Sequence, residues 1–177
     1  MISVCVATYN GEKYIRQQLN SIRMQLGEDD EIVVSDDMSC DGTVSIIEGM
    51  NDSRIRIFKH ENKYARFKID YATHNFENAL NHVKGDIVFL SDQDDVWLPN
   101  KVEVMMAALR HSDVVMSDCY VTDKDLNVVS SSYYKTNRVF RPSIFYNFLK
   151  PSFLGSCMAF RRDVLDKVLP FPKYGVG

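Results

Sequence analysis

No apolar run in this chain of 177 residues approaches the ~20 that a helix needs to span a bilayer. Met1-Ile2-Ser3 leads straight into a strand pattern instead of a basic and then apolar signal peptide, so the expected location is cytoplasmic. Excess positive charge is missing too. A formal net charge of -3 excludes a general affinity for nucleic acid, which needs a basic surface to displace counterions from phosphates. The four cysteines, Cys5, Cys40, Cys119 and Cys157, are far apart, so neither a CxxC redox motif nor a zinc pair can be drawn, and buried reduced thiols are expected. No GxGxxG follows any strand, which removes a dinucleotide-binding dehydrogenase domain. Internal repeats, linkers and low-complexity stretches are absent as well. His60, His74, His82 and His111 lack ligand spacing, and none is assigned to metal.

What remains is the composition of an ordinary globular domain, 45% apolar and 25% charged. A single core in a domain of this length buries roughly 70% of the unfolded chain's surface, enough to fold without staples. Residues 2–7 form a β-branched apolar run, followed by Ile15, Leu19, Ile22 and Leu26 at helical spacing. The alternation continues with strands over 31–35 and 54–59 around a helix over 43–50. Phe76, Leu80 and Val83 then mark a helix that Gly85 caps, ahead of a strand over 86–90. A helix over 97–109 and a strand over 113–116 follow. Such alternation predicts an α/β fold with a mostly parallel central sheet flanked by helices. The rule breaks after residue 118: a hairpin over 120–130 turning at Asp123-Lys124-Asp125, a short helix over 143–149, a strand over 155–161 and a last helix over 163–169.

In open parallel sheets, ligands bind where loops gather at the carboxyl ends of the strands. Four polar clusters fall there: Thr8-Tyr9-Asn10-Gly11, Asp36-Asp37, Asp92-Gln93-Asp94-Asp95 and Ser117-Asp118. So much negative charge in one place raises carboxyl pKa values unless a cation or a set of donors compensates. Asp92 and Asp94, two apart in an irregular loop, can turn toward one hard cation, Mg2+ or Mn2+, which would keep open positions for diphosphate oxygens. Aspartates after strands more commonly form turns and helix caps. That role suits Asp41, Asp29, Asp30, Asp123 and Asp125. It does not suit the triplet Asp92, Asp94 and Asp95, because one cap needs one carboxylate.

The segments Val4-Cys5-Val6-Ala7-Thr8-Tyr9-Asn10, Val33-Val34-Ser35-Asp36-Asp37-Met38-Ser39-Cys40-Asp41-Gly42-Thr43 and Phe89-Leu90-Ser91-Asp92-Gln93-Asp94-Asp95-Val96-Trp97-Leu98-Pro99 resemble glycosyltransferase family 2, in that order and at its spacing. The resemblance runs to about Pro172, and the SDQDDVW form is most similar to a rhamnosyltransferase-like branch that decorates bacterial surface polysaccharides. It implies a single GT-A (Rossmann-like) nucleotide-diphospho-sugar transferase domain over 1–177, with a nucleotide-sugar-binding half over 1–118 and the start of an acceptor-side half over 119–177. It further implies that Thr8, the backbone around Tyr9, Asn10, Asp37 and Asp36 hold the pyrimidine base and ribose. Asp92 would lie near the ribose and the metal, and Asp94 would bind the metal, Mn2+ or Mg2+. The implied activity is inverting transfer from a UDP- or dTDP-sugar to a hydroxyl of a saccharide or lipid-linked saccharide.

Inversion needs a carboxylate base to deprotonate the acceptor. In similar proteins it follows the segment matching Val168-Leu169-Pro170-Phe171-Pro172, but Lys173 to Gly177 contain no carboxylate. Asp163 and Asp166 fall in a predicted helix ahead of it. The base is therefore expected beyond Gly177, in a longer natural protein whose further residues leave room for a peripheral contact with the inner face of the cell membrane. Two alternatives stay open: a non-catalytic nucleotide-sugar-binding fragment, and a phosphotransferase using Asp92 and Asp94. The basic group Arg54, Arg56, Lys59, Lys63, Arg66 and Lys68 reads as solvated surface rather than a diphosphate clamp. Tyr133, Tyr134, Phe140, Phe145, Tyr146 and Phe148 suit either a small second core or an acceptor surface.

Overall fold

The computed structural model describes residues 1–61, 68–137 and 154–171. The helix expected over 143–149, the aromatics Phe140, Phe145, Tyr146 and Phe148, the cations Lys63 and Arg66, and the segment from Pro172 onward lie outside the described residues, as does the side chain of Lys68.

The first half alternates as its hydrophobic pattern dictates. Strand β1 (Ile2–Thr8) leads to α1 (Ile15–Arg23), β2 (Glu31–Asp36) to α2 (Thr43–Glu48), and β3 (Ile55–Lys59) to α3 (Lys68–Leu80). Then come β4 (Ile87–Asp92), α4 (Lys101–Ala108) and β5 (Val114–Met116). A two-stranded ribbon, β6 (Val121–Thr122) with β7 (Val128–Ser130), forms the expected hairpin, and α5 (Tyr133–Asn137) follows it. The last described elements are a 3-10 turn Gly155–Cys157, β8 (Met158–Arg161), a second 3-10 turn Arg162–Val164 and α6 (Leu165–Val168).

Six strands form one sheet in the order β3-β2-β1-β4-β8-β5. The first four are parallel, whereas β8 runs antiparallel to both neighbours. A strand from the segment after residue 118 thus enters the sheet of the first half, so the two halves share one core. The inner strands read as continuous apolar runs because both their faces are covered. Along β1, Val4 and Val6 face Ile15, Leu19, Ile22, Phe89 and Met105, while Cys5 between them joins Val33, Val88, Ala79 and Leu80 on the other face. Each Val, Leu, Ile, Phe or Met among them contributes about 1.5–3 kcal/mol by its burial.

Three expected elements have different bounds. The helix over 97–109 starts only at Lys101, because Pro99 disfavours helical backbone at Leu98. The strand over 155–161 opens as a 3-10 turn before β8. The helix over 163–169 is a 3-10 turn followed by the single turn of α6, and Leu169, ahead of Pro170, is extended with ψ 144°. The thiols also split: Cys5 and Cys157 are buried as expected, but Cys40 is exposed and Cys119 half-buried.

Gly85 caps no helix, since α3 ends at Leu80. A Cβ there would lie 2.7 Å from the Ser3 amide nitrogen and 2.8 Å from the Ile2 carbonyl carbon, so only glycine lets the chain pass the start of β1. Its amide donates to Ser3 Oγ at 2.8 Å. Ser3 Oγ in turn donates to Glu31, which also takes the Lys84 amide and pairs with Arg56. Arg54 likewise pairs with Asp52 at 2.7 Å, so these two cations brace the amino-terminal end of β2 and β3 and are not mere solvated surface.

Two stability measurements follow from this lower edge. Gly85→Ala is expected to lose about 2–3 kcal/mol in urea unfolding, as overpacking against backbone does. Glu31→Ala is expected to lose about 3 kcal/mol by stranding Arg56 and Ser3. Burial pushes the Glu31 carboxyl up, but bonds from Ser3, Lys84 and Arg56 outweigh it and hold it below the usual range. Its contribution is therefore complete above the unfolded-state value and disappears as pH falls through the lower folded value, and Glu31→Ala should flatten that part of the acid-stability curve.

Candidate nucleotide-sugar site

The parallel register places the ends of three strands side by side: Thr8 pairs with Asp36, and Ala7 with Asp92. Above them opens a cavity of about 760 Å3, within the range of small-molecule sites. Ala7, Thr8 and Tyr9 line it from β1, Asp37 and Met38 from the loop after β2, and Asp92 and Gln93 from the end of β4. Glu61 and, from α3, Tyr71, Ala72 and Asn75 complete the wall. The apolar side chains of Tyr9, Met38 and Tyr71 are exposed at 56%, 53% and 46%, giving broad surfaces on which a flat ring can lie.

The expected residues divide between lining the cavity and building it. Tyr9, Asp37 and Asp92 line it. Thr8 lines it too but is 1% exposed, and its hydroxyl donates to Gln93 Oε1 at 2.7 Å. Asn10 and Asp36 are absent from the wall. The backbone of Asn10 is left-handed, φ 49°, and its side-chain oxygen accepts from the Cys40 amide at 2.9 Å. Buried Asp36 accepts from the amide and hydroxyl of Ser39, which fixes the turn that presents Asp37. Asp41 accepts from the Thr43 amide at 3.0 Å, a turn-forming role just ahead of α2, whose N-cap is Gly42 and has no side-chain capping bond. Of the fourth cluster, Asp118 is turned to the hairpin side, bonded to Ser132 and Tyr133.

Gln93, read from the sequence only as a spacer, is the joint between two loops. Its Oε1 also accepts from the Tyr9 amide at 2.9 Å, and its Nε2 donates to the Tyr9 carbonyl at 3.1 Å. Gly11 makes room for it: a Cβ there would stand 2.3 Å from Gln93 Oε1. Asn75, 3% exposed, donates to the Thr8 carbonyl at 3.1 Å, and its own oxygen has no partner among the described residues. Neither residue carried a sequence signal, since an amide between two acids and an amide within α3 match no spacing rule. Buried Gln18 of α1 donates to Ser91, and Ser21 Oγ accepts from the Trp97 amide at 2.9 Å, so α1 holds the acidic loop at both ends.

Asp92 is pushed up to about 6, by burial first and then by the charges of Asp95 and Asp94, against relief from Ser156 and Lys101. Asp95 is also raised, by desolvation first, although it keeps a solvent-exposed surface. Desolvation lowers Lys101, opposed by the acidic groups around it. Asp94 is exposed and, like Asn10 and Asp36, does not line the cavity. Among the described residues no three His, Cys, Asp or Glu side chains converge into a closed metal cage. The loop instead offers a surplus of hard oxygen ligands beside a wide cavity, which fits a divalent ion bound by one or two carboxylates and completed by ligand oxygens.

A family model described as glycosyl transferase family 2 matches residues 3–169. The chain belongs to glycosyltransferase family 2. It is 34% identical over 139 residues to the dTDP-rhamnosyl transferase RfbG of Shigella flexneri, a match covering 75% of this chain and 43% of that protein. With the UDP-Glc:alpha-D-GlcNAc-diphosphoundecaprenol beta-1,3-glucosyltransferase WfgD of Escherichia coli it shares 28% over 114 residues, covering 64% and 43%. Among solved structures, the mannosyltransferase PcManGT of Pyrobaculum calidifontis, in complex with GDP-Man and Mn2+, superposes with TM-score 0.65 at 28% identity, covering 97% of this chain and 47% of that one. S. aureus TarS 1-349 with UDP-GlcNAc gives 0.62 at 25%, covering 94% and 46%. The fold is therefore GT-A, and the chain spans less than half the length of these family 2 relatives. Among the described residues no helix is long and apolar enough to cross a membrane.

The raised Asp92 gives a signed prediction. Between the ordinary carboxyl value of 3.8 and about 6 the folded state holds a proton that the unfolded state has released, so stability falls as pH rises through that window. Asp92→Asn should remove this slope and, with chelator present, stabilise the chain at pH 7 by about 2 kcal/mol in urea unfolding.

Proposed function

We propose that this chain forms the nucleotide-sugar-binding part of a metal-dependent, inverting glycosyltransferase that moves a sugar from a UDP- or dTDP-sugar to a saccharide or lipid-linked saccharide hydroxyl in bacterial surface polysaccharide synthesis. The observation that carries this reading is the cavity at the ends of β1, β2 and β4, whose wall combines Tyr9 and Tyr71 with the carboxylates Asp37 and Asp92, the last of them raised by Asp95 and Asp94 beside it. Such a wall suits a base and ribose, and such a border suits a diphosphate held through a cation. An acidic pair after the fourth strand of a family 2 chain favours sugar transfer over phosphotransferase chemistry. RfbG and WfgD, named for dTDP-rhamnosyl and UDP-glucosyl transfer, support the donor class.

In this reading Tyr9 and Tyr71 flank the base, and Asp37, an acceptor, takes a base N-H or a ribose hydroxyl. Gln93 holds the Tyr9 backbone in register with the acidic loop. Asp94 and Asp92 would hold Mn2+ or Mg2+, which when bound supplies Lewis-acid support for the departing diphosphate. The proton of the acceptor hydroxyl goes to a carboxylate that we assign to none of the described residues, because Asp163 and Asp166 belong to the turn and helix that follow β8.

Calorimetric titration of UDP and dTDP, with Mn2+ and with chelator, tests the reading. Binding is expected to strengthen at least about tenfold with Mn2+, and Asp94→Asn is expected to abolish that gain. Failure of both nucleotides to bind under either condition would contradict it.

A further inference from the structure

Gln93 stands between two acids in sequence, yet its carboxamide is bonded to the other loop. Its Oε1 accepts from the Thr8 hydroxyl at 2.7 Å and from the Tyr9 amide at 2.9 Å, which occupies both lone pairs of a carbonyl oxygen. Its Nε2 donates to the Tyr9 carbonyl at 3.1 Å. One side chain from the end of β4 thus pairs with both backbone groups of Tyr9, as the opposite residue of a neighbouring strand does. Among the described residues these are the hydrogen bonds that hold the Tyr9 backbone. Gly11 keeps the seat open, since a Cβ there would stand 2.3 Å from Gln93 Oε1 and 2.8 Å from Gln93 Cδ.

This geometry separates Gln93 from the acids on either side of it. An oxygen whose lone pairs are both taken has none left for a cation, so Gln93 is no third ligand beside Asp92 and Asp94. The Tyr9 amide hydrogen is likewise spent within the protein, and what Tyr9 offers a ligand is its ring, 56% exposed in the cavity wall. A loop held in place beforehand costs less to order when a ligand enters. We propose that Gln93 is a positioning residue for the nucleoside end of the donor, holding the Tyr9 ring where a base stacks on it, and that this contribution needs no metal. One loop then serves the two ends of the ligand through different residues, its acids acting on the cation and its amide on the base. This rests on the nucleotide-sugar reading above, in which Tyr9 flanks the base.

The test is the UDP dissociation constant of this chain, measured by calorimetry in chelator and in Mn2+. Gln93→Ala is expected to weaken binding about three- to tenfold in chelator and by the same factor in Mn2+, so that the gain from the metal stays within about twofold of the wild type. Asp94→Asn should show the opposite pattern, losing the gain and keeping the chelator value. In a Tyr9→Ala background Gln93→Ala should cost less than about twofold, because Gln93 acts through that ring. Gly11→Ala leaves the acidic loop intact but crowds the Gln93 carboxamide, so it should reproduce the metal-independent loss and serves if Gln93→Ala fails to fold. Unchanged UDP binding in Gln93→Ala, a loss confined to Mn2+, or losses that simply add in the Tyr9→Ala background overturn the positioning role and leave nucleotide binding standing. Binding in Mn2+ with none in chelator also overturns it, since the base end then contributes nothing without the metal. A wild type that binds UDP in neither condition overturns the underlying reading and the role of Gln93 with it.

Discussion

The carboxylates after β4 repel one another, and the surrounding structure is arranged to keep them together. Asp92, Asp94 and Asp95 occupy four consecutive positions with Gln93, and burial makes the charge on Asp92 costly. Left alone, such a loop would splay into solvent. Instead α1 holds its two ends through Ser91 and the Trp97 amide, Gln93 stitches its middle to Tyr9, and Lys101 brings a partly desolvated positive charge beneath it. This compensation is incomplete, as the raised Asp92 shows. In the function proposed above, the remaining surplus of negative charge is what would draw a hard cation, and through it a diphosphate, to this loop.

The same constraint explains the division of labour along the cavity. Polar side chains that sequence motifs bring to the strand ends split into those that face the space and those that hold the loops. Asp36 and Asn10 spend their oxygens on the turn after β2, which leaves Asp37 at the wall. Thr8 gives its hydroxyl to Gln93 and its carbonyl to Asn75 and to the Asp37 amide, so the first two strand ends are locked to the fourth and to α3. A rigid frame of this kind reduces the ordering cost of binding, because few side chains have to be immobilised when a ligand enters.

Much of this was legible in the sequence. Apolar runs and helical spacing placed β1 to β4, α1 and α2 nearly to the residue, since strands buried on both faces leave a continuous signal. Motif order gave the family, which the comparison over residues 3–169 bears out. Asp37 and Asp92 stand at the cavity as expected. Long-range pairing was not legible. Nothing local says that β8 inserts antiparallel between β4 and β5, that Gly85 passes against β1, or that Gln93 reaches Tyr9, because these depend on residues brought together only by the finished sheet. Helix ends were misjudged where prolines act at a distance of one or two residues, as at Pro99 and Pro170.

The central claim is that a nucleoside diphosphate and a divalent cation meet at the end of β4. Amide NMR spectra of this chain with UDP and Mn2+ address it most directly, because the paramagnetic ion broadens signals according to their distance from it. Broadening centred on residues 92–95, extending to Tyr9 and Ser156 and appearing only when UDP and Mn2+ are both present, is the predicted result. Broadening centred elsewhere on the chain, or the same pattern whether or not UDP is present, would contradict it.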